Sequence, residues 1–251
     1  MVGLFELESY LNDFLEVSRF DDYAPNGIQV EGRHEINKIV TGVTASRALI
    51  DEAIEERADL ILVHHGYFWR GESPCIVGMK AQRLGLLLGN DISMMAYHLP
   101  LDAHVSVGNN AQLAARLGLI IDGSFGEGRV SLGVCGELEE AMSLAKFAEH
   151  VASCVGRAPL VIEGGLDSVK RVGLCTGAAQ NYIDAAANLG LDAYISGEIS
   201  ENTVHIARER GVNYLAAGHH ATEKFGVCAL GEYLAEKFSL EHLFIDIDNP
   251  V

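Results

Sequence analysis

Three groups of side chains that could bind a metal ion stand out among the ten histidines of the sequence. Imidazole and carboxylate groups bind borderline divalent ions such as zinc, iron(II), manganese and nickel. The groups are His64 and His65 after the apolar run LILV, His98 and Asp102 in YHLPLDAH, and His219 and Glu223 in AAGHHATEKFG. Any one pair alone is more often structural or solvated. Three groups together favour a metal site.

Spacing links the second and third groups. His219 and Glu223 are four residues apart at the start of a predicted helix, so both project from one face, one turn apart. They can chelate one ion or bracket two. His98 and Asp102 have the same spacing, but Pro100 argues against a regular helix between them. The shared spacing therefore need not mean a shared geometry.

The adjacent pair His64 and His65 raises a question of direction. Successive side chains on a strand point to opposite faces, so the two rings are expected to diverge while the strand continues. A turn at Gly66 would instead bring both rings to one crevice. We favour divergence, in which each ring reaches a different ion of a pair.

Each group follows an apolar run that is typical of a buried strand, and helical periodicity separates the runs. Strand–helix alternation predicts an α/β fold of mainly parallel sheets flanked by helices. Open sheets of this class bind ligands at the carboxyl ends of their strands. The predicted strands are 38–45, 59–63, 92–97, 130–138, 159–164, 171–177, 192–198, 212–218 and 241–247.

An internal match indicates a duplicated architecture. Shifting the chain by 133 positions lays residues 45–65 on 178–198 without a gap, and the two segments share the same helix-to-strand length. We expect two similar, pseudo-duplicated α/β lobes, residues 1–124 and 125–251, with the metal site in the cleft between them.

Composition excludes several classes of protein. The formal charge is −17 without a Lys/Arg-rich run, which argues against nucleic-acid binding. Five scattered cysteines without a Cys-x-x-Cys pair indicate reduced thiols and a cytoplasmic location. No apolar run is long enough for a membrane span, and the acidic N-terminus is unlike a signal peptide. Cys75 has no neighbouring base in the sequence, so no thiol nucleophile is expected.

The remaining histidines are assigned no part in the site. His104, His150, His205 and His242 are expected to be exposed or core residues, and His34 has no partner that the sequence names. His220 should point away from Glu223 and be at most a supporting residue.

Several segments together resemble the Nif-three-like dinuclear metal-centre family, and most closely its short bacterial YbgI subgroup. They are DDYAPNGIQVEG, VTGVTAS, VHHGYFWRGESP, YHLPLDAH, SGEISENTVH and AAGHHATEKFG. The resemblance covers nearly the whole chain, although the long insertion of larger members is absent. It implies two similar α/β lobes with a two-metal site between them, assembled as a toroidal homohexamer.

Block by block, the resemblance implies a ligand set of His64, His65, Asp102, His219 and Glu223 for two divalent transition-metal ions per chain. His98 and Glu198 are carried as catalytic candidates that could move protons. Members of the family are commonly described as GTP cyclohydrolase 1 type 2 homologues.

The expected function is that of a dinuclear metal-dependent hydrolase, with GTP as the candidate small-molecule substrate and a metal-bound hydroxide that attacks purine C8. Two alternatives stay open. The same site could hydrolyse another phosphate-bearing substrate, or the protein could be a non-enzymatic metal-binding or scaffold ring.

Overall fold

Strands and helices alternate along the chain in a computed structural model that describes residues 1–126 and 128–251. The strands are β1 (Val2–Gly3), β2 (Gly27–Val30), β3 (Glu35–Ile36), β4 (Lys38–Thr44), β5 (Leu60–His65), β6 (Ser93–Ala96), β7 (Leu119–Phe125), β8 (Gly133–Ser143), β9 (Leu160–Ile162), β10 (Ser168–Cys175), β11 (Ala193–Ser196), β12 (Asn213–Ala216) and β13 (Glu241–Phe244). The helices are α1 (Leu4–Phe14), α2 (Arg47–Glu55), α3 (Gly78–Gly89), α4 (Leu99–Ala103), α5 (Asn109–Arg116), α6 (Leu144–Val155), α7 (Ile183–Asn188), α8 (Glu201–Arg210) and α9 (His219–Phe238).

The first compact unit comprises Met1–Leu101 and Gly226–Asp248. Its five-stranded sheet has the order β13-β4-β5-β6-β2, with β13, β4, β5 and β6 parallel and β2 antiparallel to β6. Helices α2 and α3 bury Leu49 and Leu87 against Ile61 and other apolar residues of this sheet. Since β5 and β6 are parallel, the residues that follow them lie at the same edge.

The second compact unit comprises Asp102–Phe225 and Asn249–Val251. Its sheet has the order β7-β8-β10-β11-β12-β9, and only β10, β11 and β12 pair in parallel among the described strands. This sheet is mixed rather than mainly parallel, because β7 and β8 are joined by a connection short enough for an antiparallel hairpin. Residues that follow β10, β11 and β12 lie at one edge.

The α/β class predicted from the sequence is confirmed, with sheets flanked by helices. The boundaries of the two compact units differ from the single boundary that the sequence analysis placed between residues 124 and 125. The chain leaves the first unit after Leu101 and returns to it at Gly226, within α9, whose last part belongs to that unit together with β13. Because this boundary falls within the long helix α9, no change of composition marks it in the sequence.

The internal match of the sequence has a counterpart in strand register. Ile39 of β4 pairs with Leu60 of β5, and Val172 of β10 pairs with Ala193 of β11. Both residues of the second pair lie 133 positions after those of the first. The helical segment between the strands corresponds as well, since α2 shifted by 133 covers the 3-10 turn Gln180–Tyr182 and α7.

One aspartate supports the start of each of these β-α-β elements. Asp59 Oδ2 accepts hydrogen bonds from the backbone N–H groups of residues 37 and 38, at 2.8 and 3.0 Å. Asp192 Oδ2 accepts them from residues 170 and 171, at 2.9 and 2.8 Å. The donors in the second set again lie 133 positions after those in the first. In both elements an aspartate carboxylate thus accepts from backbone N–H groups that would otherwise lack an acceptor.

Two local expectations were wrong. The strands predicted from the sequence did not include β2, which lies in the segment DDYAPNGIQVEG and pairs with β6. The regular helix that Pro100 seemed to exclude does form as the short helix α4, because proline is tolerated in a first turn, where its missing N–H has no helical acceptor. Among the described residues, no helix combines the length and apolarity that crossing a membrane requires.

Candidate metal centre

His64 and His65 are the last two residues of β5, the central strand of the first unit's sheet. The preceding residues Leu60–Val63 are fully buried, so the strand delivers the two rings from the core to the sheet edge. His64 itself is fully buried, and His65 is partly exposed. A polar side chain at zero exposure needs partners, because burying it without them is costly.

The tautomer of His64 follows from one hydrogen bond. Its Nδ1 lies 2.9 Å from the carbonyl oxygen of Tyr97. A carbonyl oxygen only accepts, so Nδ1 carries the proton and donates. In the neutral ring Nε2 then holds the lone pair that a metal ion needs. His65 Nδ1 lies 3.4 Å from Thr44 Oγ1.

That His64 and His65 each reach a different ion of a pair stays a prediction. The centroids of their rings lie 4.6 Å apart and the ring planes are inclined by 41°. The close approach occurs at the strand end, followed by Gly66. A Cβ at Gly66 would overlap Gln29 Oε1 and lie 2.7 Å from the Cβ of Ala96, so the chain passes where only glycine fits.

His98 follows β6, the neighbouring parallel strand, and is almost fully buried. Its Nδ1 lies 2.9 Å from Asp22 Oδ1 in an ion pair whose partners are both buried. Burial opposes ionisation of Asp22 and raises its pKa. The hydrogen bond and charge of His98, with hydrogen bonds from Asn26 and Ala24, outweigh burial and lower the pKa to about 2. Asp22 is therefore a carboxylate that accepts from His98.

Together these residues form what we term the three-histidine group, composed of His64, His65 and His98. One nitrogen of each ring lies within 4.8 Å of a nitrogen of the other two. The ring of His98 has its centroid 5.0 Å from that of His64 and 5.7 Å from that of His65. The sequence placed two of these residues in a ligand set, and the fold adds the third to their surroundings.

Asp102 belongs to the second unit and lies near the end of α4, where it is buried. Its Oδ1 accepts a hydrogen bond of 2.8 Å from Asn109 Nδ2 and a longer one of 3.4 Å from Thr176 Oγ1. Both donors contact Oδ1 of a carboxylate whose two oxygens can each accept. Asn109 begins α5 and Thr176 follows β10, so two elements fix this carboxylate.

His219 and Glu223 occupy the first and fifth positions of α9. His219 Nε2 lies 3.1 Å from Glu223 Oε2, and on the other side of the ring Nδ1 lies 2.7 Å from Glu198 Oε1. Glu223 is almost fully buried. The four-residue spacing thus produces the shared helix face expected from the sequence. Glu198 follows β11 and contacts the imidazole directly.

These two carboxylates decide the charge of His219 when no ion is bound. Burial lowers the pKa of the imidazole. The hydrogen bonds and negative charges of Glu223 and Glu198 outweigh that effect and raise the pKa to about 9. At neutral pH the ring is then an imidazolium that donates from both nitrogens. A cation held by His219 Nε2 would have to displace this proton.

Gly177 leaves room for this arrangement at the end of β10. A Cβ there would overlap Glu223 Oε1 and lie 3.3 Å from His219 Nε2. Its φ of +68° is also a conformation that side chains rarely adopt. Backbone and carboxylate therefore approach each other at a distance that only glycine permits.

The histidines left out of the predicted site have local partners elsewhere. His34 Nε2 lies 2.8 Å from Glu31, His205 lies 3.1 Å from Glu201, and His150 lies 3.1 Å from the carbonyl of Leu117. His104 Nδ1 accepts from the backbone N–H of Val107 at 3.2 Å. His242 contacts Thr41 Oγ1 at 2.8 Å, and the backbone N–H of His220 donates to Val251. Cys75 is exposed.

Sequence reasoning missed Asp22, Asn109 and Thr176, which hold the candidate ligands in place. Asp22 lies 76 residues before His98, and nothing in the spacing connects them. Asn109 lies only seven residues after Asp102, just beyond the motif YHLPLDAH, whereas Thr176 lies 74 residues after it. The sequence gives little reason to place Asp22 at the site, because the polar segment DDYAPN by itself indicates only a loop between two elements.

The donor set fits borderline divalent ions. Ligand atoms of one ion with bonds of about 2.0–2.2 Å lie roughly 3 Å apart, which matches the separation of Nε2 and Oε2 in the His219–Glu223 pair. His64, His98 and His219 each have Nδ1 held by an oxygen atom, so Nε2 is the ring nitrogen that would be offered to an ion. Outer hydrogen bonds of this kind are usual for metal-bound histidines.

The fold is thus that of an α/β protein whose two units each present imidazole or carboxylate groups at the carboxyl ends of parallel strands. The sequence model of the Duf34/NIF3 (NGG1p interacting factor 3) family matches residues 3–250. The chain belongs to this family.

Curated relatives and solved structures agree with this assignment. A protein of Pseudomonas aeruginosa named GTP cyclohydrolase 1 type 2 homolog is 54% identical over 250 residues, covering 99% of both chains. A protein of Escherichia coli K12 with the same name is 52% identical and covers 98% of both. The solved structure of the protein ybgI, described as of unknown function, has a TM-score of 0.96 at 50% identity over the whole of both chains. TTHA1606 of Thermus thermophilus has a TM-score of 0.89 at 36% identity, again over the full chains.

Proposed function

We propose that this protein binds two divalent transition-metal ions and uses them to hydrolyse a purine nucleotide, with GTP as the candidate substrate. The proposed ligands are the five residues that the family resemblance implies. They are His64, His65, Asp102, His219 and Glu223. The ions would be zinc, iron, manganese or nickel, since mixed imidazole and carboxylate ligands suit these metals.

The observation that carries the proposal is the anchoring of ligand histidines through Nδ1. His64 donates to the carbonyl of Tyr97, and His219 donates to Glu198. Each ring is thereby held through Nδ1, so Nε2 is the nitrogen that it would offer to an ion.

Divalent ions at this centre would supply Lewis acidity and lower the pKa of water toward neutrality. The chain's own residues supply the framework. Asn109 and Thr176 orient the Asp102 carboxylate, and Gly177 lets Glu223 approach the backbone. Glu198 positions His219, and this contact favours a positioning role over the proton transfer expected from the sequence.

The candidate reaction is ring-opening hydrolysis. Water adds to C8 of the guanine base, the bond from C8 to N9 breaks, and a second water releases C8 as formate. No oxidant or reductant is needed. The names of the curated relatives support GTP as the first substrate to test.

The test is formate release from GTP by metal-loaded protein. Chelated protein and a loaded His219→Ala variant serve as controls, with circular dichroism to show that the variant is folded. Release by the wild type well above both controls supports the proposal. Metal binding without release from GTP overturns the assignment of substrate, and a panel of other phosphate-bearing compounds then separates another hydrolase from a non-enzymatic metal-binding protein.

Assembly as a toroidal homohexamer is a proposal that comes from the family resemblance. Native mass spectrometry tests it, since a particle of six chains is expected. A monomer or dimer at micromolar concentration would contradict it.

A further inference from the structure

We propose that Tyr23 and Trp69 form an aromatic platform on which the nucleobase of the substrate stacks. Both residues lie in the first unit, beside the three-histidine group. This inference rests on the proposed function, which names a purine nucleotide, and deepens it by assigning the residues that would contact the base. The platform is separate from the residues proposed as ligands of an ion.

The two aromatic rings are roughly aligned and lie against imidazoles. Their centroids are 5.5 Å apart and their planes are inclined by 35°. Both stand across the ring of His98, with centroids 5.0 and 5.1 Å from it and planes inclined by 77° and 84°. The ring centroid of Trp69 also lies 5.9 Å from that of His65. A planar group that stacks on the platform would therefore lie next to these imidazoles.

The platform presents ring surface to solvent. Tyr23 is 51% exposed and Trp69 is partly exposed, whereas His98 beside them is almost fully buried. Covering exposed ring surface with a base removes apolar area from water, which favours binding. The aromatic surface thus meets solvent directly beside a group of polar rings that the fold buries.

Contacts between their two segments hold Tyr23 and Trp69 together. The backbone N–H of Arg70 donates to the carbonyl of Tyr23 at 2.7 Å. The guanidinium of Arg70 donates to Asp21 Oδ1 and to the carbonyl of Asp22, both at 2.9 Å. Side chains that are positioned before a ligand arrives lose little conformational freedom when it binds.

The backbone directly before Trp69 is strained. Phe68 has a φ of +65°, a conformation that bulky residues rarely adopt. Such strain persists only where the surrounding structure enforces it, and it is concentrated at ligand-binding and active sites. We interpret it as a consequence of placing the indole beside the imidazoles.

Stacking on aromatic side chains is a common way of binding a nucleobase, because every base has a π-face. It tolerates different bases, so the platform would accept purine nucleosides as a class. Its part in the proposed reaction is to orient the plane of the base, while other residues act on water.

The experiment uses Trp69 as its own reporter, since it is the single tryptophan of the sequence. Guanosine, GTP and ribose 5-phosphate are titrated into Zn²⁺-loaded protein, and tryptophan fluorescence is read immediately after mixing and corrected for absorption by the ligand. The variants are Tyr23→Ala and Tyr23→Phe. Formate release by the same proteins gives the KM for GTP.

Phe5→Ala is the matched control. Phe5 is 52% exposed, and it also lies edge-on to a histidine, His34, with centroids 5.5 Å apart and planes inclined by 83°. Its replacement removes an exposed ring of the first unit that is not part of the platform.

We expect guanosine and GTP to quench the fluorescence of the wild type, and ribose 5-phosphate to leave it unchanged. Tyr23→Ala should raise the Kd for guanosine by about 5–150-fold, which is the usual effect of losing one stack between a base and an aromatic ring. The KM for GTP should rise with it. Tyr23→Phe keeps the ring and should bind guanosine like the wild type, as should Phe5→Ala.

Equal affinity of Tyr23→Ala and the wild type for guanosine overturns the inference. Absence of quenching by both guanosine and GTP overturns it as well. Formate release from GTP alongside either result would leave the proposed function standing. Quenching without formate release, together with weaker binding by Tyr23→Ala, supports the platform and contradicts hydrolysis of GTP. If Tyr23→Ala does not fold, the response of the wild type to guanosine against ribose 5-phosphate decides.

Discussion

The Asp22 carboxylate and the His98 imidazole form a buried pair, with 2.9 Å between Oδ1 and Nδ1, that ties the turn after α1 to the end of β6. Neither residue belongs to the ligand set that the sequence motifs define. Four hydrogen bonds converge on this one carboxylate, and two of them come from backbone N–H groups. The pair is therefore a structural support as well as a neighbour of His64.

Replacing Asp22 should destabilise the protein even without metal. Asp22→Asn puts an amide donor against groups that are themselves donors, so buried hydrogen bonds are lost. Leaving such groups unsatisfied typically costs about 1–3 kcal/mol of unfolding free energy. Urea denaturation of the metal-free variant measures this loss.

Asp21→Asn is the matched control, because Asp21 is exposed and pairs with Arg70 at the surface. It should change stability by less than about 0.5 kcal/mol, as surface substitutions usually do. Equal effects of the two substitutions would show that the four hydrogen bonds of Asp22 contribute nothing specific.

Glu198 should affect metal affinity through His219. Glu198→Gln replaces a charged acceptor by a neutral one and allows the amide to present a donor to Nδ1. We expect the affinity for Zn²⁺ to fall by about 10–100-fold while the protein stays folded. Competition with a fluorescent chelator measures the affinity.

Glu201→Gln is a suitable control for this variant. Glu201 also contacts a histidine, His205, but both side chains are exposed. Its replacement should leave Zn²⁺ affinity unchanged. A Glu198→Gln variant with wild-type affinity would remove the positioning role.

Gly177→Ala should disturb the second unit by overlap as well as by backbone strain. The new Cβ collides with Glu223 Oε1, and the positive φ penalises any side chain. Gly190→Ala separates the two effects, because Gly190 has a similar φ of +65° and nothing within 4 Å of an added Cβ.

We expect Gly190→Ala to cost about 1–2 kcal/mol from the left-handed conformation alone. Gly177→Ala should cost more and should also weaken Zn²⁺ binding. Thermal unfolding and Zn²⁺ titration give the two readings. Equal losses of stability with intact Zn²⁺ binding would mean that Glu223 moves aside freely.

His242 should make stability depend on pH. Burial lowers the pKa of this imidazole, and the negative charge of Glu232 opposes that effect only in part. The unfolded chain therefore takes up the proton first as the pH falls through about 6.5. Stability from this site is complete above that pH and is lost on further acidification, by at most about 1.4 kcal/mol per pH unit.

Comparing His242→Gln with the wild type separates the contribution of His242 to the pH dependence of stability from that of the carboxylates. From pH 7 to pH 5, the unfolding free energy of the wild type should fall relative to that of His242→Gln. His205→Gln, at an exposed histidine, should show no such change. A constant difference across the range would contradict the assignment.

Local sequence patterns were sufficient to identify the residues with the chemistry of metal ligands and the elements that deliver them. Helix periodicity placed His219 and Glu223 on one face, and the apolar run before His64 predicted its strand, because both patterns depend on neighbours within a few residues. The internal match at 133 positions has a counterpart in the strand registers, which the sequence did not predict.

How the rings are held depends instead on the folded structure. Asp22 reaches His98 across 76 residues, and Glu198 reaches His219 across 21, through turns and strand ends whose approach depends on sheet packing. Strand alternation says nothing of the 4.6 Å between the ring centroids of His64 and His65 or of the 41° between their planes. Local patterns predict which residues share a strand or a helix face. Side-chain partners, tautomers and ring orientations depend on contacts that form only when distant segments pack together.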